Sequence, residues 1–213
     1  MNSFLFEKET LLQCKEDAKT YFKSDNIFLA DGTNLFCSGN ITLGENIMFS
    51  GNVVLNEGVI VEQGSNLSDV TLGSENRIRP YSIISNLKAG KCNIFGPFCF
   101  LRDEITVEDD CIIGAHVEIT RSSIHSNVKI SHHAFIGDTI IESNVIVGAN
   151  VVFCNFDGLK RQNSFISSGV VLGSASLLIS PVHVGINAIV AAGSIINKNV
   201  LANEKVIQKR FRS

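Results

Sequence analysis

An all-β chain wound as a left-handed parallel β-helix of hexapeptide repeats is the fold this sequence predicts. Three observations carry it. An aliphatic or Phe residue returns at every sixth position through most of the chain. The residue after it is usually small or polar. A second small or β-branched residue stands two positions before the next aliphatic, as at Ile47, Val53, Val59, Val145 and Ala188.

The beat runs Leu43, Phe49, Leu55, Val61, Leu67, then Leu72, Ile78, Ile84 after a step of five. It returns at Phe95, Leu101, Val107, Ile113, Ile119, continues through Ile124, Ile130 and Ile136, and resumes at Ile141, Val147, Phe153. After a break it gives Ile166, Leu172, Leu178, Val184, Val190 and Ile196. A six-residue step holds one short strand and one sharp corner. Three steps, about 18 residues, close one triangular coil. The aliphatic points inward and stacks on its equivalents above and below, and parallel pairing makes each coil support the next. The small residue at the corner is expected to accept backbone angles that crowd a larger side chain. A β-sandwich has strands and turns of irregular spacing and does not hold such a beat. The usual crossover rule favours right-handed coils, but known hexapeptide coils are left-handed.

The elements follow in order. Residues 1–24 are expected to form a helical cap, because Leu11, Leu12, Cys14, Ala18 and Phe22 recur among charges over residues 7–23. Residues 25–204 form the β-helix. Within it, a loop at about 154–165 carries CNFDGLKRQNS and projects from a corner, where loops on rigid scaffolds carry function. Residues 205–213 are a basic tail, either a solvated end or a phosphate-contacting arm.

Composition narrows the function classes. The 213 residues carry a formal charge of −3, so no broad basic field points to nucleic acid. Charged residues are 18% and hydrophobic residues 45%, a balance that suits much buried surface, subunit interfaces included. No apolar run reaches the roughly 20 residues of a membrane helix, and the N-terminus has no signal-peptide pattern. Six scattered cysteines without a CxxC pair fit a reducing cytoplasm and small core hydrophobes.

Acyl transfer from a thioester to an amine needs a base, donors for the oxyanion and cations for phosphates. Histidine is the best base at neutral pH. His132 follows inward-pointing Ile130 by two positions and belongs on an outer face, where a lone histidine is more often solvated than catalytic. Glu118, roughly one coil earlier, would raise the basicity of His132 and fix its tautomer if the two stack. Arg102, Lys160 and Arg161 are candidate anion holders, with solvated charge as the plain alternative. Zinc held by His116, His132 and His133 requires convergence from adjacent subunits, and no spacing singles it out; no metal is expected for acyl transfer.

The stretches GPFCFLRD, HVEIT, SHHAFIGD, NVIVGANVVFCNFDGLK, VVLGSASLLISPVHVG and IVAAGSIINKNV, with GNVVLNEGVIV and RIRPYSII before them, resemble one family. It is the C-terminal acetyltransferase domain of the bifunctional N-acetylglucosamine-1-phosphate uridyltransferase/glucosamine-1-phosphate acetyltransferase (GlmU-like). The resemblance covers about residues 25–205, and the CNFDG loop is its most specific element. It implies a cytoplasmic homotrimer that moves acetyl from acetyl-coenzyme A to the amine of an amino sugar, sugar phosphate or nucleotide sugar. It implies His132 as base, Glu118 beside it and Asn155 near the amine. Arg102 matches an acceptor-phosphate ligand, and Arg161, or Lys160 if the loop slips by one, a lysine that holds the acceptor. Ala149, Ser174 and Ala192 match positions that contact the coenzyme, and Lys209 or Arg210 falls near a basic residue that meets its phosphate.

The departures lie in the acceptor shell. Thr120 stands where the family has a lysine, with Arg121 adjacent; Phe135 and Phe156 replace tyrosines, and Ile146 an asparagine. A pocket that loses such groups rejects or releases its ligand. The expectation is an altered acceptor, or a non-catalytic relative that binds coenzyme, sugar nucleotide or a protein partner. No Gly-rich nucleotide-binding segment precedes the repeats, so nucleotidyl transfer is not expected of this chain.

Overall fold

The computed structural model describes residues 1–13, 22 and 26–207. Among the strands from Ile27 on, every pairing of one with another is parallel and joins one coil to the next. Three faces result. The first carries Arg77–Ile78, Ile94–Phe95, Ile112–Ala115, Lys129–His132, Ile146–Val147, Val171–Leu172 and Ile189–Val190. The second carries Phe100–Arg102, Glu118–Thr120, Phe135–Gly137, Val152–Cys154 and Leu177–Ile179. The third carries Ile105–Val107, Ser123–Ile124, Thr139–Ile141, Ser164–Ile166 and His183–Val184. The coils are left-handed.

The six-residue beat is the core. None of its members is more than 4% exposed, and Ile47, Val53, Val59, Val145 and Ala188 are fully buried beside them. Burial of one such aliphatic contributes about 1.5–3 kcal/mol. Cys37, Cys99 and Cys111 are buried in the same stack, which pushes the Cys37 thiol up to about 12 and the other two to about 11. Cys92 is exposed and Cys154 half-buried.

The corners differ from the expectation in one respect. The glycines after the aliphatics are there for close approach rather than for unusual angles. A Cβ on Gly44 would come within 2.5 Å of the Gln63 backbone nitrogen, and one on Gly148 within 2.5 Å of that of Ser174. The left-handed backbone positions fall two or three residues later and are mostly not glycine. Asn127, Asn144, Tyr81, His116 and Asp138 all have φ between 53° and 63°. Asn and Asp tolerate this region best.

The N-terminal expectation is corrected over Asn2–Leu12, while Phe22, within the expected cap, is helical. Asn2–Leu12 is a strand, antiparallel to Asn34–Leu43, with an irregularity between Phe6 and Thr10. The apolar spacing over residues 7–23 satisfied a helical template, but the open backbone edge of the first coil offers this segment ladder hydrogen bonds, and tertiary pairing prevails. Phe22 is buried and meets the Phe4 ring edge-on at 4.9 Å. The rest of the expected helical cap lies outside the described residues. At the other end, Lys205–Val206 pairs with Ile189–Val190, so the coil runs past residue 204. Among the described residues no helix is long and apolar enough to cross a membrane.

The loop emerges where expected. Ile130 pairs with Val147, but Val147 pairs with Leu172, a visibly longer step along the chain. The excess leaves the corner between the second and third faces. Asp157 organises it: one carboxylate oxygen accepts from the Leu159 and Lys160 amides at 2.8 Å each, and the other from Gln162 at 2.7 Å. These bonds, that of the Lys160 amide first, hold the Asp157 carboxyl down at about 2.

Gly148→Ala is expected to destabilise the chain by about 1–3 kcal/mol through overpacking. Denaturant unfolding measures it; an unchanged midpoint would show that the coils spread to accept the methyl group.

Candidate active site

The corner between the first and second faces holds the two adjacent histidines, and they separate. His133, at φ 43°, joins a ring stack along the coil axis. Tyr81 lies over Phe98 with centroids 5.5 Å apart, Phe98 over His116 at 5.2 Å, and His116 over His133 at 4.8 Å. His132 ends its strand opposite Ala115, exposed. Among the described residues no side-chain hydrogen bond or ion pair engages its imidazole. The register carries the His132 position upward to Ala149, Ser174 and Ala192 in successive coils, so these four residues form one column.

On the second face, Glu118 lies between Phe100 and Phe135, and Thr120 between Arg102 and Gly137. Among the described residues Glu118 makes no ion pair with His132. Arg102 Nη2 donates to Glu118 Oε1 at 2.8 Å instead, while the guanidinium covers the Phe100 ring at 5.4 Å.

Arg102 begins a chain of charges along the next corner. Its Nη1 donates to Asp103 Oδ2 at 2.5 Å. The same oxygen accepts from Thr120 Oγ1 and from Arg121 Nη1, both at 3.1 Å. Arg121 grips Asp138 with two bonds, of 2.7 and 3.1 Å. Asn155 Nδ2 then donates to Asp138 Oδ2 at 2.5 Å. Gly137 makes this last contact possible, because a Cβ there would collide with the Asn155 amide. The bond from Thr120 leads in holding the Asp103 carboxyl below its usual value, with Arg102 and Arg121 adding to it. Burial pushes Asp138 up, but Arg121, Asn155 and the charge of Arg161 together bring it below the usual value.

The remaining candidates are dispersed. Lys160, Arg161 and Phe156 are exposed on the loop, with Phe156 bridged to Arg161 through the backbone. Ile146 is exposed on the first face, beside Lys129. Lys209 and Arg210 lie outside the described residues. Among the described residues no group of three or more His, Cys, Asp or Glu is placed to hold a metal ion.

Sequence reasoning did not single out Asp103 and Asp138, and noted Arg121 only as a neighbour of Thr120. Their signal is positional, since each follows a buried second-face aliphatic at a corner with φ of 62°, 53° and 46°. A cleft of about 620 Å³ opens on the far side of this chain of charges, lined by Arg121, Asp138, Ser164, Phe165 and His183 among others.

No protein-family model matches the chain. Curated relatives do. The bifunctional protein GlmU of Syntrophomonas wolfei is 34% identical over 203 residues, 92% of this chain and 42% of that protein. That of Baumannia cicadellinicola is 32% identical over 87% of this chain and 36% of its own length. The Ruthia magnifica protein is 32% identical over 94% and 45%. The chain is GlmU-like. It spans less than half the length of these GlmU relatives. Among solved structures, LpxA of Bacteroides fragilis, a UDP-N-acetylglucosamine acyltransferase, aligns with a TM-score of 0.58 at 14% identity, over 83% of this chain and 68% of that one. That likeness concerns the fold.

The side chain of Asp138 is only 9% exposed, and Asp138→Asn is expected to cost about 1–3 kcal/mol at neutral pH. Because the folded carboxyl titrates below its unfolded value of about 3.9, its contribution is complete above that pH. It is lost as the pH falls through the lower, folded value. Paired unfolding curves of wild type and variant should converge as the pH falls below the unfolded value of about 3.9; a constant gap would show that the Asp138 charge is not what stabilises.

Proposed function

We propose that this chain is an acyltransferase that moves acetyl from acetyl-coenzyme A to the amine of an amino sugar, free or as a sugar phosphate or nucleotide sugar. It would correspond to the acetyl-transferring part of the GlmU relatives. The observation that carries the reading is the column of an uncommitted imidazole, His132, beneath the small residues Ala149, Ser174 and Ala192. Small residues along a corner leave a track for a pantetheine arm, and the imidazole stands at its foot.

In the reaction the amine nitrogen attacks the thioester carbonyl carbon, and His132 takes the proton that the nitrogen sheds. The tetrahedral intermediate collapses, the carbon–sulfur bond breaks and the coenzyme leaves as thiol once it is protonated. Asn155, fixed by Asp138, has its amide oxygen available to accept from the amine, which orients the lone pair. Glu118 acts on the face through Arg102.

A homotrimer supports this chemistry, because one coil is convex and a groove forms only between copies. Apolar side chains on two adjacent faces suit it, with Ile146 and Ile189 on the first and Phe100 and Ile195 on the second all 40–57% exposed. A cytoplasmic location accords with the five free cysteines among the described residues. The second reading, a GlmU-like protein that binds without catalysis, draws on the tie between Arg102 and internal carboxylates.

Thiol release from acetyl-coenzyme A over a panel of amino sugars, their 1-phosphates and nucleotide-linked forms tests both. Turnover on one class, falling about 10²–10⁴-fold in His132→Ala with coenzyme binding retained, supports the enzyme. Coenzyme binding without turnover on any member transfers support to the binding protein.

A further inference from the structure

Asp103 occupies a place built for an anion. Its Oδ2 collects three donors from three residues: a guanidinium N–H of Arg102 at 2.5 Å, one of Arg121 at 3.1 Å and the Thr120 hydroxyl at 3.1 Å. Two guanidiniums and a hydroxyl converging on one oxygen form the kind of cradle that binds carboxylate or phosphate from solution. Here the ligand belongs to the chain. The far ends of both arginines are also taken, by Glu118 and by Asp138. Two positive charges therefore face three negative ones.

The backbone explains how Asp103 arrives there. Leu101 pairs with Ile84, but beyond the corner Ile105 pairs with Leu87, so this coil spends one residue more on the turn than the coil below it. Asp103 and Glu104 follow each other in the left-handed region, at φ 62° and 60°, where the neighbouring coils have single left-handed residues, Asn86 and Arg121. The added residue turns the Asp103 carboxylate back onto the arginines.

We infer that Asp103 is a built-in anion that closes this corner to phosphate, so that the acceptor amine arrives on a sugar without a phosphoryl group here. The inference rests on the acyltransferase reading and narrows its substrate class. A tethered carboxylate competes at the effective concentration its short tether sets, millimolar or higher. A phosphate ester at lower concentration does not displace it. The surplus negative charge opposes a dianion further.

Asp103→Asn is the test. Asparagine is at ease at a positive φ, so the corner keeps its shape while the charge goes. Asp103→Ser provides a second variant that removes the carboxylate with a smaller side chain. Two readouts on the full chain separate this inference from the one beneath it. The first is kcat/KM for acetyl transfer to glucosamine and to glucosamine 1-phosphate. The wild type is expected to favour glucosamine at least about tenfold, and both variants to move that ratio about tenfold or more towards the phosphate. The second is calorimetric titration with glucosamine 1-phosphate, which needs no turnover. Binding absent or weak in the wild type and gained in the variants supports the closed corner even if neither sugar is acetylated, an outcome that counts against the acyltransferase reading alone. A wild type that binds or acetylates the phosphate in preference, or variants that shift neither readout, overturns the inference.

Discussion

Each coil satisfies its backbone on the coil above and the coil below, and this parallel pairing is the constraint on which everything else depends. It holds the repeat nearly constant and stacks equivalent positions directly upon one another. A residue therefore has neighbours that sequence distance alone predicts. His132, Ala149, Ser174 and Ala192 share a column for this reason. So do the rings of Tyr81, Phe98, His116 and His133. Where the repeat changes, the consequence is local and chemical. A long excess yields the Asp157-organised loop, and a single added residue turns Asp103 inward onto two arginines.

The fold was legible because the code for it is one-dimensional. Every beat aliphatic from Leu43 to Ile196 is buried, and the break after Phe153 is the loop. The corner glycines were found for the wrong reason. Their need is space beneath the next coil, which depends on coil separation and not on the residue itself. The N-terminal strand was not expected because Leu11 and Leu12 continue the helical spacing of Phe22, which is helical, while the partner that makes Asn2–Leu12 a strand lies well along the chain, in Asn34–Leu43.

The outward placement of single residues was legible, but their connections were not. His132 lies outward as its offset from Ile130 required. The bond from Arg102 to Glu118 was not legible, because it depends on the face placing the glutamate over the arginine two strand positions along. The charge chain linking Glu118 to Asn155 draws on residues 102, 103, 120, 121 and 138 and runs across four coils. Sequence shows these as isolated charges, for which a solvated state is the ordinary expectation. Only the stacked geometry shows that Thr120 is buried and spans Asp103 and Arg121.

The antiparallel strand over the first coil has a colloidal consequence. A parallel solenoid is a strand template at either end, and the surface it presents there already has the register that another copy of the same chain would match. Head-to-tail growth into fibres needs both ends open. Asn2–Leu12 runs in the opposite direction to the coil it covers, so the edge it offers in turn does not continue the parallel ladder. A reversal of chain direction in one segment thus keeps a self-complementary architecture from polymerising.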